Sequence, residues 1–229
     1  KYMKKNILSI VLFFIFTTQT FSHVGHYKKY NSLEYELFRN NKLIGYHNYE
    51  FDIKNSNLIV KSTIKFKITK LGVDLYKYDA VSEEKYSGNQ LLNFTSKTYQ
   101  NKKIKNTEIN FDEATKKLLI TGSENTLSSP KEYPVGTWWN HEIVQAKAQI
   151  SAISGRIIEQ KVTFTGKEKI NLYGKSFNAL RFNFSSSDDS LPDNKKLNTD
   201  VWYDEDTKLW LKAAFNKTGY WEYRLKIFK

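Results

Sequence analysis

Leu58-Ile59-Val60-Lys61-Ser62-Thr63-Ile64-Lys65-Phe66-Lys67-Ile68 is the stretch that decides the fold. Ile64, Phe66 and Ile68 fall on one face, and Lys65, Lys67 and Thr69 fall on the other. That period of two belongs to a half-buried β-strand and excludes a helix. The same rhythm spreads in both directions. Leu33, Tyr35 and Leu37 alternate with Glu34, Glu36 and Phe38. Extended runs follow at 46–53, at 75–86 with Tyr76 and Tyr78 in phase, at 91–100 and at 103–111. Short clusters of turn residues separate them: Asn40-Asn41-Lys42, Asn55-Ser56-Asn57, Ser87-Gly88-Asn89 and Asn101-Lys102. Asn, Ser and Gly tolerate the backbone that a two-residue hairpin needs.

The second half repeats the pattern after one interruption. Residues 124–134 are polar and hold Pro130 and Pro134, two of the three prolines, and read as a long loop or seam. Trp138, Trp139, Ile143 and Ala146 then recur at helical spacing, with Thr137 placed to cap. This helix either runs on towards Gly155 or stops near Ala146 and gives way to a strand around Ala148, Ile150 and Ala152. Periodicity leaves both open. Strand alternation returns at 157–170, 177–184, 200–203, 209–215 and 220–228. The fold class expected is all-β and mainly antiparallel. The sheet is curved or forms a partly closed barrel of about 10–12 strands, with one short helix.

The beginning of the chain reads as an address. Met3, Lys4, Lys5 and Asn6 precede an apolar run from Ile7 to Phe16, and Thr17, Thr18, Gln19 and Thr20 follow. That is the layout of a secretory signal peptide, too short to span a bilayer, which needs ~20 apolar residues. The expectation is a leader over 1–22, a single β domain over 23–229, and export to the periplasm as a soluble protein. The chain has no cysteine, so no disulfide and no lipidated cysteine is expected.

Net charge is +12. Lysine carries nearly all of it, and the only arginines are Arg39, Arg156, Arg181 and Arg224. Bidentate reading of bases and phosphates favours arginine, and the lysines alternate with apolar residues as a solvated sheet face does. Nucleic acid is therefore not an expected partner; a weak contact with an anionic membrane surface is compatible with the charge.

No nucleotide, phosphate-loop, zinc or nucleophile-elbow motif is present, and no cofactor is expected. Histidine occurs only at 23, 26, 47 and 141. His23 could chelate copper if it became the N-terminus; as part of a frayed end it would do nothing. Trp138-Trp139-Asn140-His141-Glu142 could be an acid/base pair beside two indoles, but neighbours on a helix point about 100° apart. Two tryptophans plugging the open end of a curved sheet is the simpler reading. The carboxylates of Trp202-Tyr203-Asp204-Glu205-Asp206, near Trp210, could bind calcium or hydrolyse a glycoside. Their spacing with Thr207 and Lys208 also suits a plain β-turn.

Trp138-Trp139-Asn140, Gln145, Ser154-Gly155-Arg156, Gly166, Trp202-Tyr203-Asp204, Trp210, Phe215 and Glu222-Tyr223 together resemble a bacterial domain-of-unknown-function family of exported single-domain β proteins. The likeness runs from Leu33 to Phe228, and the chain departs from it by having Ser154 before the glycine. The resemblance implies a single β domain and a short helix followed by a strand after Trp138; it implies no activity. A more distant architectural likeness is to the half-barrels of lipoprotein carriers, where a curved sheet wraps an apolar cavity.

The leading expectation is thus a carrier module for an apolar ligand such as a lipid, with Trp138, Trp139, His141, Trp202 and Trp210 as ligand-binding candidates. An aromatic load of 15 Phe, 15 Tyr and 5 Trp motivates it. The alternatives are a structural or protein-interaction domain with a filled core, and a cofactor-free enzyme using His141, Glu142 or the Asp204 turn.

Overall fold

Alternating apolar residues can leave water only if neighbouring strands turn the same face inward. In the computed structural model, which describes residues 24–123, 126–193 and 195–229, they do so in one continuous 14-stranded sheet. The segment expected to be a leader, and His23, lie outside the described residues. The strands are β1 (Ser32–Arg39), β2 (Lys42–Lys54), β3 (Asn57–Lys70), β4 (Val73–Ser87), β5 (Gln90–Gln100), β6 (Lys103–Asp112), β7 (Lys117–Gly122) and β8 (Thr126–Pro130). After a long connection come β9 (Ala148–Ile150), β10 (Ile157–Leu172), β11 (Lys175–Ser186), β12 (Asn198–Asp204), β13 (Trp210–Asn216) and β14 (Tyr220–Phe228).

The order across the sheet is β8-β7-β6-β5-β4-β3-β2-β1-β14-β13-β12-β11-β10-β9. Two antiparallel meanders therefore join where the first strand meets the last, from Leu33 opposite Phe228 to Arg39 opposite Trp221. The sheet is all-β and open, ending on β8 and β9. It has more strands than the 10–12 expected because Thr126–Pro130, read as loop, pairs with β7, and Ala148–Ile150 pairs with β10. Turn chemistry follows the sequence: Asn40, Asn41, Asn55, Ser56 and Asn101 all have positive φ.

The sheet bends strongly across β3, β2, β1 and β14. Phe66 of β3 and Trp221 of β14 are separated by β2 and β1, so a flat sheet would hold them about 14 Å apart. Their rings are 5.4 Å apart. Gly45 of β2, paired with Phe66, lets the strands fold together: a Cβ there would stand 2.0 Å from the Lys65 carbonyl and 2.5 Å from Phe66 Cβ. A register shift in the β1–β2 pairing at Leu37/Phe38 adds to the bend.

Residues 131–156 cross the hollow of the sheet and pair along it only at β9. A helix does not begin at Thr137, because Trp138 has φ +54°. Helical hydrogen bonding is confined to a 3-10 turn over His141–Gln145, capped by Asn140, whose Oδ1 accepts from the Glu142 amide at 3.0 Å. A second 3-10 turn, Val24–Lys29, precedes β1. Val135, Trp139, Ile143 and Ile150 of the crossing segment belong to a single cluster of buried side chains with Tyr35, Tyr49, Phe94, Tyr203 and Trp210.

Candidate functional site

A crossing segment with little secondary structure must find partners for its backbone carbonyls elsewhere. The strands supply them through tyrosine hydroxyls. Tyr49 Oη donates to the Thr137 carbonyl at 2.7 Å, and Tyr203 Oη donates to the Trp138 carbonyl at 2.9 Å. Gln160 Nε2 donates to the carbonyls of Ile143 and Ala146 at 3.1 and 3.0 Å. Trp139, fully buried, donates from Nε1 to Glu84 Oε1 at 2.8 Å, and Tyr86 Oη donates to Glu84 Oε2 at 2.7 Å. Burial pushes the Glu84 carboxyl above the usual carboxylate range, against the lowering effect of these donors. Together these bonds fix the segment as a plug from β2, β4, β10 and β12.

The plug does not fill the whole hollow. Beside it lies an inner cavity of about 180 Å³, lined by Trp138, Gly136, Thr137 and Ile153 from the crossing segment and by His47, Ser62, Thr98 and Tyr223 from the strands. His47 Nε2 lies 2.9 Å from Ser62 Oγ. Its Nδ1, and Nε1 of Trp138, have no hydrogen-bond partner among the described residues. Burial pushes the His47 pKa down to about 3, so the ring is neutral at neutral pH.

Outward from this cavity runs a cleft of about 610 Å³ that shares Ile64, Tyr78, Ile153 and Tyr223 with it. Its wall is a chain of rings. Tyr76 and Tyr78 stack on Phe66 at 5.8 and 4.9 Å; Phe66 meets Trp221 edge-on; Trp221 stacks on Phe215 at 5.8 Å. Tyr223 continues inward to Trp138 at 5.6 Å and Trp210 at 5.8 Å. Cross-strand pairing places the rings: Phe66 is opposite Tyr78, Ile68 opposite Tyr76, and Phe215 opposite Trp221. At the mouth stand two cations, Arg39 and Lys217. The Arg39 guanidinium lies 5.9 Å over the Trp221 ring and donates to the Thr218 carbonyl.

The five residues singled out from sequence occupy different places. Trp138 is half-buried and lines the inner cavity. Trp139 is core. Trp210 is also fully buried, stacked on Tyr35 at 4.1 Å. His141 is buried against the Tyr203 ring at 4.8 Å and lines neither the cavity nor the cleft. Trp202 alternates with the inward Tyr203 and so faces the convex side, where Nε1 donates to Glu168 and Arg181 and Lys212 cover the ring. Sequence reasoning missed His47 and Trp221 as cavity and cleft residues. Phe66, Tyr76 and Tyr78 were read as in-phase strand residues, and that phase was their only signal. Asp204 makes a turn: its Oδ1 accepts from the Thr207 amide at 2.8 Å and hydroxyl at 2.7 Å. No cluster of three or more His, Asp or Glu fit for a metal occurs among the described residues.

A second cleft, of about 640 Å³, is lined by polar side chains including Asn89, Lys131, Glu132 and Glu142. Its Asn89 and Glu142 are hydrogen-bonded to each other at 2.8 Å.

A family model described as a domain of unknown function, DUF6134, matches residues 35–226. No curated protein matches the chain. Among solved structures, the chain is similar to the crystal structure of a beta-barrel-like protein of domain of unknown function DUF1849 from Brucella abortus. The TM-score is 0.62 at 11% identity, over 87% of this chain and 97% of that one. At that identity the likeness shows the fold alone. Both findings agree with the uncharacterised all-β family read from the Trp-Asn and Trp-Tyr-Asp elements.

Proposed function

The chain belongs to the DUF6134 family of domains of unknown function, and we propose that this member is a binding or carrier module for an apolar molecule, such as a lipid, held in the aromatic cleft. The observation that carries the reading is the unbroken wall of rings from Tyr76 to Tyr223, open to solvent at one end. Its volume of about 610 Å³ suits a ligand site. Such a surface left to water is unfavourable by roughly 25 cal/mol per Å² of apolar area, which an acyl chain would relieve. Arg39 and Lys217 at the mouth favour an anionic head group on that chain. The signal-like residues 1–22 support export to the periplasm as the setting for this role.

Titration with dansyl-undecanoic acid tests the reading. The probe's emission should rise and shift to the blue on binding. Phe66→Ala and Trp221→Ala should each weaken binding about tenfold or more, and Arg39→Gln should weaken it less. No saturable binding by the wild-type protein, or equal binding by both alanine variants, would overturn the proposal.

A second reading, a structural or protein-interaction domain, is favoured by the plug, which fills the centre of the hollow with Trp139, Ile143 and Val135. It is distinguished by the same titration: a purely structural domain leaves the probe dark.

A further inference from the structure

The hairpin between β3 and β4 runs on past its ladder pairing with the neighbouring strands. Pairing of β3 with β2 stops at Phe66, and pairing of β4 with β5 stops at Tyr78. Residues 67–77 therefore form a two-stranded tongue paired only within itself, apart from the Asn101 bonds to Lys77, with the end of β2 across a pocket from Lys67–Thr69. Its tip is apolar and bare: Leu71 is 95% exposed, Val73 61% and Leu75 56%.

The turn itself places a bulky apolar residue on a left-handed backbone. Leu71 and Gly72 have φ +51° and +78°. Asparagine or serine takes the same left-handed backbone at Asn40, Asn41, Asn55, Ser56 and Asn101, while Tyr173-Gly174 of the β10–β11 hairpin repeats the pairing of a bulky residue with glycine. A leucine there is strained and hides nothing from water, so the fold gains nothing from it.

Charge surrounds the tip. Lys67, Lys70 and Lys77 lie on the tongue, and Lys102 and Lys103 lie at the adjoining β5–β6 turn, all exposed. That turn is tied to the tongue, for Asn101 Oδ1 accepts from the Lys77 amide at 2.9 Å and the Asn101 amide donates to the Lys77 carbonyl at 2.8 Å. The only carboxylate in residues 67–77 and 100–105 is Asp74, held by Thr69 at 2.8 Å and facing Lys67 at 3.6 Å.

We propose that this tongue is a membrane-docking element. Leu71, Val73 and Leu75 enter the headgroup region of an anionic bilayer while the surrounding lysines meet lipid phosphates. An apolar tip with a lysine collar matches the boundary of such a surface, where apolar side chains bury ~5–10 Å deep and each nearby cation adds attraction. The same lysines disfavour strand addition by a second copy along the tongue's free edges. The cleft shares Leu75 and Tyr76 with the tongue, so docking would bring its mouth to the lipid. The docking stands independently of what fills the cleft.

Co-sedimentation of the purified protein with vesicles of phosphatidylcholine, with or without phosphatidylglycerol, tests it. The wild type should pellet with the anionic vesicles at low salt and remain in the supernatant with phosphatidylcholine alone. Leu71→Asn puts at φ +51° a residue that tolerates it, as at Asn40, Asn55 and Asn101, so the fold and its melting temperature should be retained. Binding should fall about tenfold or more. Lys70→Glu with Lys102→Glu should abolish it, and high salt should do the same to the wild type. Neither change should alter dansyl-undecanoic acid titration, which reads the cleft alone. Three results would overturn docking: no pelleting of the wild type, pelleting of Leu71→Asn equal to wild type, or a dimer in sedimentation velocity that Leu71→Asn dissolves.

Discussion

Trp139 Nε1 donates to Glu84 Oε1 at 2.8 Å with both side chains out of contact with water, at 0% and 1% exposure. The bond ties the crossing segment to β4 and joins a buried acid to a fully buried indole of the core. Tyr86 shares the acid from the same strand. Glu84→Leu strands the indole N–H and the Tyr86 hydroxyl without an acceptor and should cost about 1–3 kcal/mol or more in chemical denaturation. Glu84→Gln keeps an acceptor for Trp139, while Tyr86 can rotate its hydroxyl to accept from the amide. The two variants should therefore differ clearly in midpoint.

The same pair has a pH signature. The Glu84 carboxyl titrates higher in the folded protein than in the unfolded chain, so the folded state holds its proton longer. Stability from this group is present at low pH and is lost as pH rises from the unfolded carboxylate pKa through the raised one. Glu84→Gln lacks that loss. Its stability relative to wild type should improve across this window and then level off; a constant difference would show that Glu84 is not held in its neutral form.

His47 works in the opposite direction. Folded, it titrates at about 3 because burial disfavours its charged form; unfolded, it titrates near 6.5. The unfolded state therefore binds the extra proton between those values. Stability is full above about 6.5 and falls by a few kcal/mol as pH drops towards 3. His47→Gln should flatten that slope in urea melts between these limits. An unchanged slope would assign the acid sensitivity to other groups.

Tyr49 and Tyr203 hold successive carbonyls of the plug, those of Thr137 and Trp138. Tyr203→Phe keeps the ring and leaves the Trp138 carbonyl without its donor, at a cost of about 1–2 kcal/mol; Tyr49→Phe should cost less, because the Trp139 amide still donates to the Thr137 carbonyl at 2.7 Å. Because the two acceptors are adjacent, the double variant should depart from additivity. Urea midpoints equal to wild type for both single variants would mean that packing alone holds the segment.

Much of this architecture is legible in the sequence, because alternation at Leu58–Ile68 and asparagine-rich turns are local signals with local causes. Leu71-Gly72 escaped because leucine rarely takes positive φ. Thr126–Pro130 escaped because a short polar edge strand carries little apolar pattern. Trp138 to Ala146 carries helical spacing, yet a left-handed Trp138 and the bonds of Thr137 to β2 and of Trp138 to β12 override that spacing with a plug. The cleft was the least legible part. Phe66 meets Trp221 only because Gly45 lets the sheet fold sharply between them, and a one-dimensional pattern does not encode that curvature. Trp202 and Trp210 looked alike as ligand-binding candidates, and both are buried, but strand alternation and a register shift at Trp202/Tyr203 put one under Arg181 and Lys212 and the other against Tyr35.

Trp138 and Trp139 are neighbours with separable duties, and their variants should separate them. Trp139→Ala empties a fully buried site and should cost about 3–5 kcal/mol. Trp138 is half-buried, lines the inner cavity and touches Tyr223 and Trp210, so its loss should cost less stability and weaken dansyl-undecanoic acid more. Its φ of +54° adds an internal check. Glycine accepts that backbone without strain, whereas alanine does not. Trp138→Gly should therefore be more stable than Trp138→Ala by about 1 kcal/mol, with the same weakened probe binding. If alanine proves the more stable, the left-handed turn before the plug does not persist in solution. If probe binding is unaffected in both, the ligand stops short of the inner cavity and is held by Phe66 and Trp221 alone.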